Sequence, residues 1–368
     1  MKTDFSTTML IQALQHHQRR NALAMIAGVM LLIAAMAMAG SLGAQTLGMA
    51  TSLRALFAPL LPAAWLSDIP AWQIALLQQL RLPRIVMATV AGAGLALAGV
   101  AMQGITRNPL VSPYTVGISP AAAFGASLAI LSGATGAGAG IAGAWSGLYL
   151  TVAAAFASAV LCATLVLAFS ALRGVSATML VLGGVGLTYL FSALTASVQF
   201  VATEQQLAAI VQWTFGSLNG STWNEVAVAG GVLLLGAPLL QWHAWALNAF
   251  AAGGDDIAAS LGFAVGRVRT VVTVVAVMIT AAVVSFTGVI GFVGLVAPHI
   301  ARLLIGGDHR WLLPFSAIVG ALLVLLSDMA GRLLFAPVII PVGIVVAYVG
   351  VPLFLHLLLS SRHKAGLQ

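Results

Sequence analysis

From Asn108 to Leu172 the chain carries no Asp, Glu, Lys or Arg. A soluble domain draws about a quarter of its residues from those four types, so a gap of this length does not suit a fold with a water-facing surface. The rest of the sequence agrees: 61% of the 368 residues are hydrophobic, 6% are charged, and the mean hydropathy is +1.07. In lipid every backbone N–H and C=O needs a partner within the protein, and apolar runs of about 20 residues meet that demand as helices.

Spans are expected near 21–41, 85–105, 115–132, 147–171, 178–200, 226–246, 270–286, 289–305, 311–329 and 340–359. Ten such spans define an all-α integral membrane fold. The segment 55–67 is too short to cross and is interrupted by Pro59 and Pro62, which places it outside the hydrocarbon. "VVSFTGVIGFVGLVAPH", residues 283–299, admits either two short spans or one broken helix.

"QHHQRRNALAMIAGVMLLIAAMAMAG", residues 15–40, resembles a secretion signal, with Arg19 and Arg20 ahead of an apolar run. That run is closer to a spanning helix than to the 7–15 apolar residues of a cleaved signal, so it reads as an uncleaved first span. The expected organisation is a cytoplasmic segment over 1–20, one transmembrane domain over 21–361 with a long cytoplasmic loop at 247–269, and a tail over 362–368. With Lys2, Arg19 and Arg20 inside, ten spans return Arg362 and Lys364 to the same side. The inner set then also holds Arg107, Arg173, Arg267, Arg269, Arg302 and Arg310, and the outer set only Arg54, Arg81, Arg84 and Arg332. The net charge of +7 is thus a positive-inside bias rather than a nucleic-acid-binding surface. Cys162 stands alone in an apolar run, which rules out an intrachain disulfide.

Ten spans of small and apolar residues suggest transport, and the motifs bear on its energy source. A phosphate-binding loop needs Gly-x-x-x-x-Gly-Lys-Ser/Thr, but the only lysines, Lys2 and Lys364, lack that context. There is no His-Glu-x-x-His, no Cys-x-x-Cys and no intramembrane pair of acids of the kind a proton relay uses. No catalytic, cofactor-binding or metal-ligating residue is therefore expected. Ion-coupled secondary transport is disfavoured but stays open, because carbonyls and hydroxyls also bind Na⁺.

Three features are candidates for a role. Arg81 and Arg84 flank a proline in "QQLRLPRIVMAT", and Arg332 falls on the same outer face; either they snorkel to headgroups, with Asp328 four residues ahead of Arg332 as its partner, or they meet an acidic ligand. In "ALNAFAAGGDDIAASLGFAVGRVRT", residues 246–270, Gly253 and Gly254 break a helix, Asp255 and Asp256 open a short one, and Gly262 can end it. Ile257 and Leu261 would give that helix an apolar face, as a connector or as a contact surface. Met102, Gln103, Thr195 and Gln199 are candidates for a pathway lining or for polar packing between helices, and His299 reads as packing rather than as a metal ligand. The stripe Ala88, Gly92, Ala96, with Gly94 and Ala98, reads as close helix packing rather than a pore.

Several long segments carry a resemblance. "LRLPRIVMATVAGAGLALAGVAMQGITRNPLVSPYTVGIS", "WTFGSLNGSTW", "GGDDIAASLG" followed by "VGRVR", "FTGVIGFVGLVAPHIARLLIGGDHRWLLPFSAIVGALLVLLSDMAGR" and "IPVGIVVAYVGVPLFLHLLL" resemble, in order over residues 74–361, the FecCD permease family of binding-protein-dependent ABC importers. The resemblance implies the ten-helix type II importer fold in a bacterial inner membrane, both termini cytoplasmic. It implies a homodimer with two ATP-binding subunits inside and a periplasmic or lipid-anchored substrate-binding protein outside. ATP and Mg would be bound by the partner ATPase, with no cofactor in this chain. It assigns binding-protein docking to Arg81, Arg84 and Arg332, and ATPase coupling to Gly254, Asp255, Asp256, Ala258, Ser260, Leu261 and Gly262. The cargo it implies is an iron-siderophore or related iron chelate, with haem and cobalamin as alternatives.

Overall fold

A computed structural model describes residues 3–42, 48–58, 62, 65, 67–133, 140–171, 176–334 and 338–365. Among them the regular structure is helical. The helices are α1 (Thr3–Ser41), α2 (Met49–Leu56), α3 (Ala71–Ala75), α4 (Leu82–Thr106), α5 (Ile118–Leu131), α6 (Gly140–Ala171), α7 (Ala177–Val201), α8 (Glu204–Thr214), α9 (Trp223–Trp242), α10 (Ala244–Ser260), α11 (Val265–Thr287), α12 (Val293–Ile305), α13 (His309–Leu333) and α14 (Val342–Ala365). Each of the ten expected spans coincides with one of them. Seven are long and apolar enough to cross a bilayer, and α5, α12 and the apolar part of α14 (Val342–Leu355) are shorter. Arg173 and part of the Pro59–Pro62 segment lie outside the described residues.

Two boundaries differ from expectation for physical reasons. The helix carrying Arg81 and Arg84 does not begin near residue 85: it runs without a break from Ala71 to Thr106. Pro83 lacks an N–H and would interrupt an ordinary α-helix, but a π turn over Leu76–Arg81 precedes it and carries the chain past the missing bond. The second is α1, which extends back to Thr3 through the segment expected to precede the first span.

The ambiguous stretch 283–299 resolves as a full-length helix, a short irregular segment and then a short helix. α11 ends at Thr287, α12 starts at Val293, and Phe292 takes a left-handed φ of 63° between them. Freed backbone groups find partners elsewhere: Ser217 N–H donates to Thr287 O at 2.7 Å, and Tyr114 Oη–H donates to Ile290 O at 2.8 Å. This is the condition under which irregular backbone is tolerated at membrane depth.

α4, α11 and α13 form the buried centre, while α1, α6, α7 and α9 turn most of their surface outward. The small-residue stripe explains the closeness of that centre. A Cβ on Gly92 would collide with the Gly320 carbonyl of α13, and one on Gly99 with the Gly294 carbonyl of α12. Ala88, Ala91, Ala96 and Ala98 are fully buried around those crossings. The stripe is therefore packing between backbones, worth dispersion contact along its length rather than a channel.

Candidate functional site: two charged ends of the helix bundle

The contacts sort the charged residues onto two opposite ends. Asn21 at the start of the apolar part of α1 donates to Ile305 O, and that end also holds Arg107, Arg269, Arg302 and Asp308. Gly40 at the far end of α1 accepts from Arg81, and that end holds Arg54, Arg84, Asp328 and Arg332.

At the second end the three candidate docking arginines lie together, two of them around one carboxylate. Arg84 Nε and Nη2 both donate to Asp328, at 3.0 and 2.8 Å, and Nη1 donates to Asn219 Oδ1 at 2.9 Å. Arg332, one turn beyond Asp328 on α13, places its Nε 3.2 Å from the other carboxylate oxygen. The Asp328 side chain is 1% exposed and each arginine side chain 13%, so a single acid answers two cations and leaves a net positive charge at the mouth of the bundle. Arg81 Nη1 donates to Gly40 O at 2.6 Å, and Arg332 Nη1 reaches Leu42 O at 3.5 Å, so both tie the end of α1 to the cluster. Nearby, Arg54 and Asp68 form an exposed pair at 2.7 Å; the hydrogen bond from Arg54 holds the Asp68 carboxyl below its ordinary range.

Beside this cluster lies a cavity of about 440 Å³ that includes Gln212, Trp213, Asn219, Glu225, Ser285 and Thr287 in its wall. None of the pathway candidates read from the sequence lines it. Met102 is fully buried in the core, and Gln103 is 4% exposed, donating to Gly294 O at 3.3 Å. Thr195 donates to Phe191 O within its own helix, and Gln199 is half-buried on α7. The cavity residues were missed because their polarity is spread over α8, α9 and α11, although "WTFGSLNGSTW" had already marked the segment.

The coupling candidates occupy the opposite end. α10 is two helical pieces joined at Gly253 and Gly254, and Gly254 adopts φ 82°, ψ −155°. That conformation is essentially open only to glycine, and a Cβ there would also lie 2.5 Å from Arg107 Nη1. The first piece packs inward through Leu247 and Phe250; the second, from Asp255, presents Ile257 (41% exposed) and Leu261 (62%) outward, and Gly262 at φ 86° ends it. Ala258 is buried, anchoring the inner face, whereas Asp256 and Ser260 are exposed.

Arg269 holds this short helix to the bundle, a role that span counting did not reveal. Its side chain is 2% exposed, and it donates from Nη2 to Asp255 Oδ1 at 2.7 Å. It also reaches Ile105 O at 3.4 Å and sits 5.5 Å from the Phe250 ring centre. One guanidinium thus connects the end of α4, both pieces of α10 and the start of α11. Asp308 caps α13 and is bonded by Arg310 and Asn248. Burial pushes its carboxyl up, but those hydrogen bonds win and bring it down to about 2. His299 is half-buried on α12, and among the described residues no group of three or more His, Cys, Asp or Glu side chains is placed to hold a metal.

Comparison with known proteins follows the same lines. Residues 29–360 match the model of the FecCD transport family. The chain is 38% identical over 288 residues to the cobalamin import system permease protein of Halobacterium salinarum, covering 78% of this chain and 74% of that one. It is 37% identical over 291 residues to an Fe(3+)-citrate import system permease protein of Bacillus subtilis, covering 78% and 83%. A solved metal-chelate type ABC transporter in an inward-facing conformation superposes with a TM-score of 0.78 at 33% identity, over 91% of this chain and 98% of that chain.

Proposed function

The chain belongs to the FecCD transport family as a membrane permease subunit of an ABC importer, and from that premise we propose its cargo, its partners and the work of its two ends. The cargo is a ferric chelate of the siderophore class. The 37% identity to a ferric citrate permease supports an iron chelate, and the 38% identity to a cobalamin permease keeps a corrinoid as the second reading. Haem remains within the same family of bulky metal chelates.

Two copies of the chain cross the inner membrane, with both termini and α10 in the cytoplasm and the Arg84 cluster outside. The asymmetry of basic residues between the two ends supports that orientation. A soluble or lipid-anchored binding protein docks on Arg81, Arg84 and Arg332 through acidic side chains; charge pairs at a rim speed and orient an encounter that must later be reversed. The cavity bounded by Gln212, Asn219 and Glu225 then lies next to the delivered cargo.

Each of two ATPase subunits binds ATP and Mg and seats on the second piece of α10, through Ile257, Leu261 and the exposed Asp256 and Ser260. Gly254 and Gly262 set the angle of that piece, while Ala258 and Asp255 hold it to the bundle. The single observation that carries this reading is the Arg269 junction: movement of the short helix reaches α4 and α11, two of the three central helices, through one buried side chain. Crosslinking tests it. A cysteine at Leu261 should crosslink to the ATPase subunit in a nucleotide-dependent way, and absence of any ATPase adduct at 257–262 would remove the assignment.

A further inference from the structure

At the α10 end, a second cavity of about 410 Å³ has Gln103, Arg107, Asn108, Arg302 and His309 in its wall. Two guanidiniums face it from different helices, and neither has a carboxylate partner among the described residues. The nearby acids are engaged, Asp255 with Arg269 and Asp308 with Arg310 and Asn248. Both arginines lie in or just after the last turn of a helix, α4 and α12, whose C-terminal dipoles offset about half of each charge. Roughly one positive charge is left in a pocket that is partly out of water.

Two further features mark the wall of this cavity. Arg107 is held in the left-handed region, φ 52°, at a position where Gly or Asn would be adopted without strain. The His309 side chain is 3% exposed, and its Nε2 has no hydrogen-bond partner among the described residues. Its tautomer follows from its neighbours. Asn248 Nδ2 donates to the Asp308 carboxylate at 2.7 Å, which turns Asn248 Oδ1 toward His309. That oxygen accepts from His309 N–H and from Nδ1, each at 2.8 Å, so the ring proton sits on Nδ1. Nε2 is left with a lone pair that packs against Gly104, another residue of the cavity wall, and has no accessible surface of its own. Gln103 adds a polar edge, with its Oε1 3.3 Å from Arg302 Nη2.

We propose that this cavity binds a phosphate oxyanion, either free phosphate or the phosphate head of an anionic lipid. Planar guanidiniums from two sides match two pairs of phosphate oxygens. Because Arg107 also lies against Gly254, the site sits directly behind the bend of α10. Anion binding here does not depend on the docking or coupling roles above.

The test uses the full chain in nanodiscs. In one arm, inorganic phosphate is titrated calorimetrically into phosphatidylcholine nanodiscs at constant ionic strength, with chloride as the control. In the other, native mass spectrometry counts phosphatidylglycerol retained from mixed-lipid nanodiscs. Saturable binding in either arm, weakened at least tenfold by R107Q combined with R302Q, is the expected result, and the arm that responds names the source. No saturable binding to the wild-type protein in either arm overturns the proposal, whether or not the double variant folds. Equal binding by the folded double variant also overturns it.

Discussion

Arg84 and Asp328, 244 residues apart, meet through two donors of one guanidinium on a carboxylate that is 1% exposed. The pair joins α4 to α13 at the end of the bundle opposite α10, and Arg332 shares the same acid. Removing one member of a buried pair strands the other, at a cost of about 3 kcal/mol, the low end for such pairs because the arginines keep some contact with water. Asp328→Asn should therefore lose about that much in equilibrium unfolding in lipid–detergent micelles. A loss below about 1 kcal/mol would mean that water already screens the cluster.

The arginines hold α1, α4 and α13 together, and the proposed function has them meet a partner as well. Charge reversal of Arg81, Arg84 and Arg332 together should abolish most binding-protein association and remove its dependence on salt. Docking that is unchanged in affinity and in salt slope would leave them as helix anchors alone.

Much of this architecture was legible in the sequence, and the gaps have physical causes. Lipid imposes about 20 apolar residues on each crossing, so the spans could be counted, and the Gly253–Gly254 break was visible because few other residues accept that backbone. The π turn before Pro83 was not legible, since a proline signals a helix start and nothing local announces a wider turn. Sequence left Met102 between pathway lining and packing because it gives polarity and softness but not burial, and in this chain Met102 is fully buried. The partners of Arg269 and of Arg84 are long-range contacts that no local pattern specifies.

Asp255 and Asp256 are adjacent but differ in environment, and their variants should separate. Asp255→Lys places a cation against the buried Arg269 and should lower the thermal midpoint as well as ATP-driven uptake. Asp256 is exposed, so Asp256→Lys should reduce uptake and ATPase association with the midpoint unchanged. Equal midpoints for both variants would contradict the Arg269 junction.

Asp308 gives the α10 end a defined acid sensitivity. Its carboxyl is held at about 2, below its ordinary value near 4, so its stabilising bonds are complete above about pH 4 and are lost as pH falls toward 2. Hydrogen exchange at the start of α13 should accelerate across that window in the wild-type protein. Asp308→Asn should raise exchange at neutral pH and flatten the acid dependence, and an unaltered acid profile in that variant would refute the role of its carboxylate.

In the proposed function this chain is the passive pathway of an importer whose energy comes from ATP in a separate subunit. Reconstitution tests it most directly: proteoliposomes containing the chain, its ATPase and its binding protein are loaded with ATP on the ATPase side, and uptake of a labelled ferric siderophore is followed. Uptake should require all three proteins and hydrolysable ATP, and should collapse with Asp256→Lys. Uptake by the chain alone, driven by an ion gradient and indifferent to the ATPase, would contradict it.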